Sequence, residues 1–159
     1  MKNILFAGFL CALTFSACKK DNNSSTATGS NLSASISGTA VTFNNALVAS
    51  NTSAGGFYGL QIVGFNGTAG TSDALYLLVY SPTPIAAGTY VDGQSASINY
   101  VVQSGGTVTY SSAISPTNPI SITITSINST SVTGTFKGDV FASGNNKKVL
   151  TNGQFSVKF

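Results

Sequence analysis

The chain has 159 residues, with seven lysines and four aspartates as its only charged side chains, a formal net charge of +3 and 7% charged residues, against about 25% in ordinary domains. Without histidine, glutamate or arginine, a Ser-His-Asp triad, a His-based zinc site, a glutamate acid/base pair and an arginine phosphate clamp are all excluded. The lysines are too few and too scattered for a nucleic-acid surface, which needs clustered cations to displace counterions.

The first predicted element is an export signal over residues 1–17. Lys2 supplies the positive start, and Ile4 to Phe15 is an apolar run of about a dozen residues, long enough for a signal core and short of the ~20 that span a bilayer. The segment closes on Phe15-Ser16-Ala17-Cys18. Small residues before a cysteine resemble the lipobox of lipoproteins, in which the cysteine sulfur takes a diacylglycerol and becomes the new N-terminus. Cys18 is therefore the expected lipidation site, and a membrane the first expected partner. Cys11 departs with the leader, so the folded part has no thiol and no disulfide. It must be held by its core alone, which a chain of ~130 residues can manage.

Residues 18–31 read as a lipidated cysteine and a polar tether. Lys19 to Asn31 (KKDNNSSTATGSN) has no apolar residue larger than alanine, too little to offset the entropy of ordering, and a typical reach of roughly 20 Å. A single domain is expected over 32–159. Helical periodicity is missing there, and β-branched and aromatic residues dominate.

Leu32, Ala34 and Ile36 alternate with serines, and Gly38-Thr39 turns the chain into Val41 and Phe43. Ala46 to Ser50 is a short candidate strand. Phe57 to Phe65 and Ala74 to Tyr80 are apolar at both parities, which predicts central strands covered on both faces. Asn66-Gly67 marks a turn between them. Gly88 to Val91 precedes an Asp92-Gly93 turn, and Ile98 to Val102 with Thr107 to Tyr110 form a hairpin around Gly105-Gly106. Ile120, Ile122 and Ile124 alternate with Ser and Thr, as do Val132, Gly134, Phe136, Gly138 and Val140. The last strand is expected to place Val149, Phe155, Val157 and Phe159 on one side, with a bulge at Gly153. About nine short strands separated by turns predict an all-β fold, an antiparallel β-sandwich with a small β-barrel as the alternative. An outer-membrane barrel needs strands of about ten residues with a lipid-facing band, which these shorter strands do not match.

No catalytic residues, metal or cofactor are expected. Asp73, Asp92 and Asp139 are the domain's only carboxylates; paired, they would make an Asp-dependent hydrolase the alternative function. Read singly, they are turn and edge charges. The candidate ligand-binding residues are tyrosines: Tyr58, Tyr80, Tyr90, Tyr100 and Tyr110, with Tyr76 the sixth of the chain. Their flat faces and polar tips suit a glycan or an envelope-protein partner.

The lipobox followed by Lys19-Lys20-Asp21, with Ala87 to Tyr90 (AGTY), Ser121 to Ile127 (SITITSI), Val132 to Phe136 (VTGTF) and Thr151 to Phe155 (TNGQF), resembles small lipoproteins of Bacteroidota in the domain-of-unknown-function family numbered 6252. That resemblance implies a β-rich fold and brings no catalytic residues. Lys19 rather than Asp after the cysteine resembles the sorting signal for the outer membrane, at its periplasmic or its surface face. The expectation is a lipid-anchored envelope lipoprotein carrying a non-catalytic binding or structural module. An accessory subunit of a surface or secretion assembly is the further alternative.

Overall fold

The computed structural model describes residues 29–159 apart from Asp92, Gln94 and residues 115–118. The expected leader, Cys18 and residues 19–28 of the expected tether lie outside the described residues.

Eleven strands are described: β1 (Asn31–Ile36), β2 (Thr39–Thr42), β3 (Asn45–Ala54), β4 (Phe57–Phe65), β5 (Ala74–Ser81), β6 (Gly88–Val91), β7 (Ala96–Val102), β8 (Val108–Ser111), β9 (Ser121–Ile127), β10 (Ser131–Ala142) and β11 (Asn146–Lys158). All their pairings are antiparallel. Nine lie on one hydrogen-bonded path, β2-β1-β11-β10-β8-β7-β5-β4-β3, curled into a half-barrel. The branch is β10: Val132 to Lys137 pair with β9, which carries β6, and Phe141 then pairs with Ser111 of β8.

Local chemistry sets the first hairpin. Ile36 faces Thr39 across a two-residue loop, Ser37-Gly38, in which both residues have positive φ, 49° and 90°. That mirror-image turn matches the right-handed twist of the strands it joins. Along β1, Leu32, Ala34 and Ile36 are buried while the alternate residues are half-exposed. Asn31, placed in the tether by composition, is the first residue of the sheet, opposite Ser156.

The curl is tied at one corner. Only Phe43 and Asn44 separate β2, at one end of the path, from β3, at the other. Phe43 N donates to the Leu32 carbonyl at 2.7 Å, and Leu32 N donates to Asn44 Oδ1 at 2.9 Å. A Cβ on Gly64 of β4 would collide with the Phe43 carbonyl, so the corner backbone sits flush on β4 where glycine leaves room. The fully buried Phe43 ring stands edge-on to Tyr100 of β7, centroids 6.1 Å apart, and Tyr100 lies 6.1 Å from Tyr110 of β8. This aromatic row packs the corner onto the middle of the sheet.

Two expectations are corrected. The bulge on β11 falls at Asn152, not Gly153: three steps on β11, Gly153 to Leu150, face two on β10, Phe136 to Gly138. Asn152 takes φ 52°, the left-handed bulge conformation. The extra residue switches parity, so Leu150 enters the core with Phe155 and Val157 while Val149 is half-buried; Phe159, one residue past the end of β11, is 42% exposed. Second, β4 and β5 are covered on one face only. Leu60 and Ile62 with Leu75, Leu77 and Val79 face the core, but Val63, Phe65, Tyr76 and Leu78 are only half-buried and Val48 is 58% exposed. No described element lies over them.

Candidate functional site

The outer surface of the half-barrel divides into two chemically distinct faces. On β6, β9, β10, β11, β1 and β2 the outward residues are mostly hydroxyls and amides, with Val91 and the lysines of β10 and β11 among them. Register aligns one from each strand: Thr89 faces Thr123, Thr123 faces Thr135, Thr135 faces Gln154, Gln154 faces Ser33, and Ser33 faces Thr42. The Thr89 and Thr123 hydroxyls are hydrogen-bonded at 3.0 Å. The β11 bulge dents this face into a groove of about 420 Å³ whose walls are Ser121, Thr123, Thr135, Lys137, Asn152 and Gln154, with Phe136 and Gly153 also lining it. Hydroxyls and primary amides both donate and accept, so the groove suits a neutral ligand rich in hydroxyls, with Lys137 the one cation on its wall.

The second face covers β3, β4, β5 and β7. Outward rows run Val48–Val63–Tyr76–Asn99 and Ser50–Gln61–Leu78–Ser97, and Tyr80 stands opposite Gly59. None of these four strands contains a charged residue. Phe57 at the β3–β4 turn is 67% exposed and Tyr80 47% exposed. Large exposed apolar groups sharing one face mark an interaction surface more often than isolated ones do.

The tyrosine candidates separate accordingly. Tyr80 presents its ring to solvent, and Tyr76 joins it on the outer face. Tyr58 is half-buried against the core. Tyr90 is half-buried too, and its hydroxyl is used at home, donating to the Ala86 carbonyl at 2.9 Å and accepting from Ala86 N at 3.1 Å. Tyr100 and Tyr110 are each 6% exposed and present no stacking face, because Ala96, Ile98 and Tyr100 share the inward parity of β7 and Tyr110 is Tyr100's cross-strand partner. Lys148 Nζ lies 5.6 Å above the Tyr110 ring, a cation on the aromatic face.

The two described aspartates are engaged. Asp73 accepts from the Tyr100 hydroxyl at 2.8 Å through Oδ2 and from Gln103 N at 2.9 Å through Oδ1, while its own carbonyl receives Asn66 N at 3.0 Å. One residue thus pins both ends of the β4–β5 loop to the end of β7. Burial first, and the Asp73 carboxylate second, hold the Tyr100 phenol well above its ordinary range. Asp139 is buried, and its Oδ2 accepts from Lys147 Nζ at 3.0 Å across the β10–β11 hairpin. Asp92 lies outside the described residues. No group of three or more metal-ligating side chains occurs among the described residues.

No protein-family model, curated protein or solved structure matches this chain. The groove residues were not singled out by the sequence. Their alternation with isoleucines in β9 marks them as outward, but their alignment depends on pairings between strands up to ~120 residues apart, which periodicity does not carry.

Proposed function

We propose that this chain is a lipid-anchored lipoprotein of the cell envelope, held at the outer membrane through Cys18, whose β-domain is a non-catalytic module binding a neutral, polyhydroxylated partner such as an envelope glycan. The observation that carries the binding half is the dented row of hydroxyls and amides across β9, β10 and β11. Asn152 supports it: a non-glycine residue in the left-handed region, at the bulge that forms the groove, is the kind of local irregularity that gathers at binding sites. The non-catalytic half is supported by the carboxylates, since both Asp73 oxygens accept hydrogen bonds within the fold and Asp139 is paired with Lys147. The anchor is supported by the lipobox and by the absence of thiols after Cys18.

The test is retention of the full mature chain on immobilised envelope glycans. Thr135→Ala with Gln154→Ala should lower retention at least tenfold at unchanged thermal midpoint, because both side chains are exposed and leave the core intact. Equal retention of wild type and variant removes the groove from the reading. Intact-mass measurement of the native product tests the anchor separately, through a diacylglycerol on a chain that begins at residue 18.

A further inference from the structure

The uncharged face on β3, β4, β5 and β7 is left unused by the groove, which lies on the β9–β10–β11 part of the outer surface. We propose that this face rests on the phospholipid surface to which the chain is anchored, with Phe57, Phe65, Tyr76, Leu78 and Tyr80 at the level of the headgroups. The inference rests on the anchored reading for its proximity, and on three features of the fold for its orientation.

The first is where the chain enters the domain. Thirteen residue steps separate Cys18 from Asn31, so at ~3.5 Å per residue the domain can stand no more than ~45 Å from the lipidated cysteine whatever those residues do. The entry point lies beside the corner that leads into that face: Leu32 N donates to Asn44 Oδ1, and the next residue, Asn45, pairs with Phe65. The tether thus delivers the domain at the Phe65 end of that face.

The second is charge. Lys137, Lys147, Lys148, Lys158 and Asp139 all lie on β10 and β11, whereas β3, β4, β5 and β7 carry none; Asp73, just before β5, is held by the Tyr100 hydroxyl and Gln103 N. A bilayer interface penalises desolvated charge, accepts aliphatic side chains, and favours tyrosine, whose ring lies in the apolar zone with its hydroxyl among the headgroups.

The third is the satisfied backbone. The face lies on paired strands of a continuous sheet, with β4 bonded to β3 and β5, and β5 to β4 and β7. Phe57, Phe65, Tyr76, Leu78 and Tyr80 all stand on these two doubly paired strands, so they can approach acyl chains without bringing unpaired amides with them; the edge strand of the face is β3.

The absence of tryptophan supplies the experiment. A single reporter is introduced into the full-length, natively processed chain as Tyr80→Trp on the apolar face, or as Thr135→Trp, exposed on the other side. Each is reconstituted on phosphatidylcholine vesicles with brominated acyl chains. Quenching of the residue-80 reporter at least threefold stronger than that of the residue-135 reporter is the expected result, and Leu78→Glu in the same chain should abolish the difference. Equal quenching, or none, overturns the inference. So does a blue shift at residue 80 without lipid that follows protein concentration, because the face would then bind a second copy. Intact mass keeps the two readings apart. If residue 18 is unmodified and the residue-80 reporter is still quenched, the face stands and the anchor falls; a modified chain with unquenched Trp at 80 gives the reverse.

Discussion

Tyr100 shows how one side chain can serve the core and a loop together. Its ring packs between Phe43 and Tyr110, and its hydroxyl reaches out of the core to the Asp73 carboxylate. A hydrogen bond to an ionised acceptor contributes about 1.5–3 kcal/mol. Tyr100→Phe keeps the packing and removes the bond, leaving Asp73 with the Gln103 amide. The expected loss is about 2 kcal/mol at pH 7, read as a lower urea midpoint with unchanged slope. The pH dependence follows from the raised phenol. In the folded state the neutral hydroxyl is favoured, so the contribution is fully present below the unfolded tyrosine pKa of about 10 and is lost as pH rises above it. In that window the unfolded chain has released a proton that the native chain keeps, and stability should fall by about 1.4 kcal/mol for each pH unit from this residue. Urea titrations between pH 9 and 11 should show that slope in the wild type and a shallower one in Tyr100→Phe. Parallel slopes would mean that the phenol ionises as readily in the fold as outside it.

The β10–β11 hairpin is built on a reciprocal exchange of glycine and phenylalanine. Gly134 faces Phe155 and Phe136 faces Gly153, and each ring occupies the space above the opposite glycine. A Cβ at Gly134 would strike the Thr123 carbonyl and the Phe155 ring, and one at Gly153 would strike the Phe136 carbonyl and its ring. Backbone carbonyls in a ladder have nowhere to move, so Gly134→Ala should cost about 3 kcal/mol. Gly55→Ala, at an open turn with φ 59°, should cost only about 1–2 kcal/mol. Comparing the two denaturation midpoints separates crowding from backbone preference, and similar losses would refute the crowding argument. The repeated Gly-x-Phe of VTGTF and TNGQF was legible as strand and turn pattern, and so were the alternations of β1, β9 and β10, because each rests on neighbours in sequence; the first turn reads one residue late, at Gly38-Thr39, whereas Ser37-Gly38 form the loop and Thr39 opens β2. What escaped depends on register or on cover. The left-handed Asn152 shifts the parity of β11, so Leu150 rather than Val149 enters the core. An apolar residue at an outward position, such as Leu78, reads the same in sequence whether a second layer covers it or not. The tyrosines lie between these cases: Tyr100 shares the parity of Ile98 and Tyr80 opposes that of Val79, so parity separates core from surface once the strands are placed.

At the scale of the molecule, the order of strands means that the fold is completed last where it begins. Asn31, at the start of the first described strand, and Ser156, near the end of the last, are paired, and β11 lies between β1 and β10 as the only described link between them. It also contributes Leu150, Phe155 and Val157 to the core. Without β11 the β1–β2 hairpin has no sheet to join, and the Phe43 corner that follows it loses the strand positioning it over Gly64. A chain ending at Ala142 should therefore lack cooperative unfolding, with near-complete loss of protease resistance, rather than form a smaller stable domain. Pairings of such sequence separation require the entropy of a long loop to be lost before any contact repays it. The intact domain should accordingly refold in milliseconds to seconds, measured by tyrosine fluorescence after dilution from urea. A truncated chain that still melts cooperatively, or an intact one that refolds in microseconds, would show that β3–β4–β5–β7 folds by itself and that β11 merely completes it.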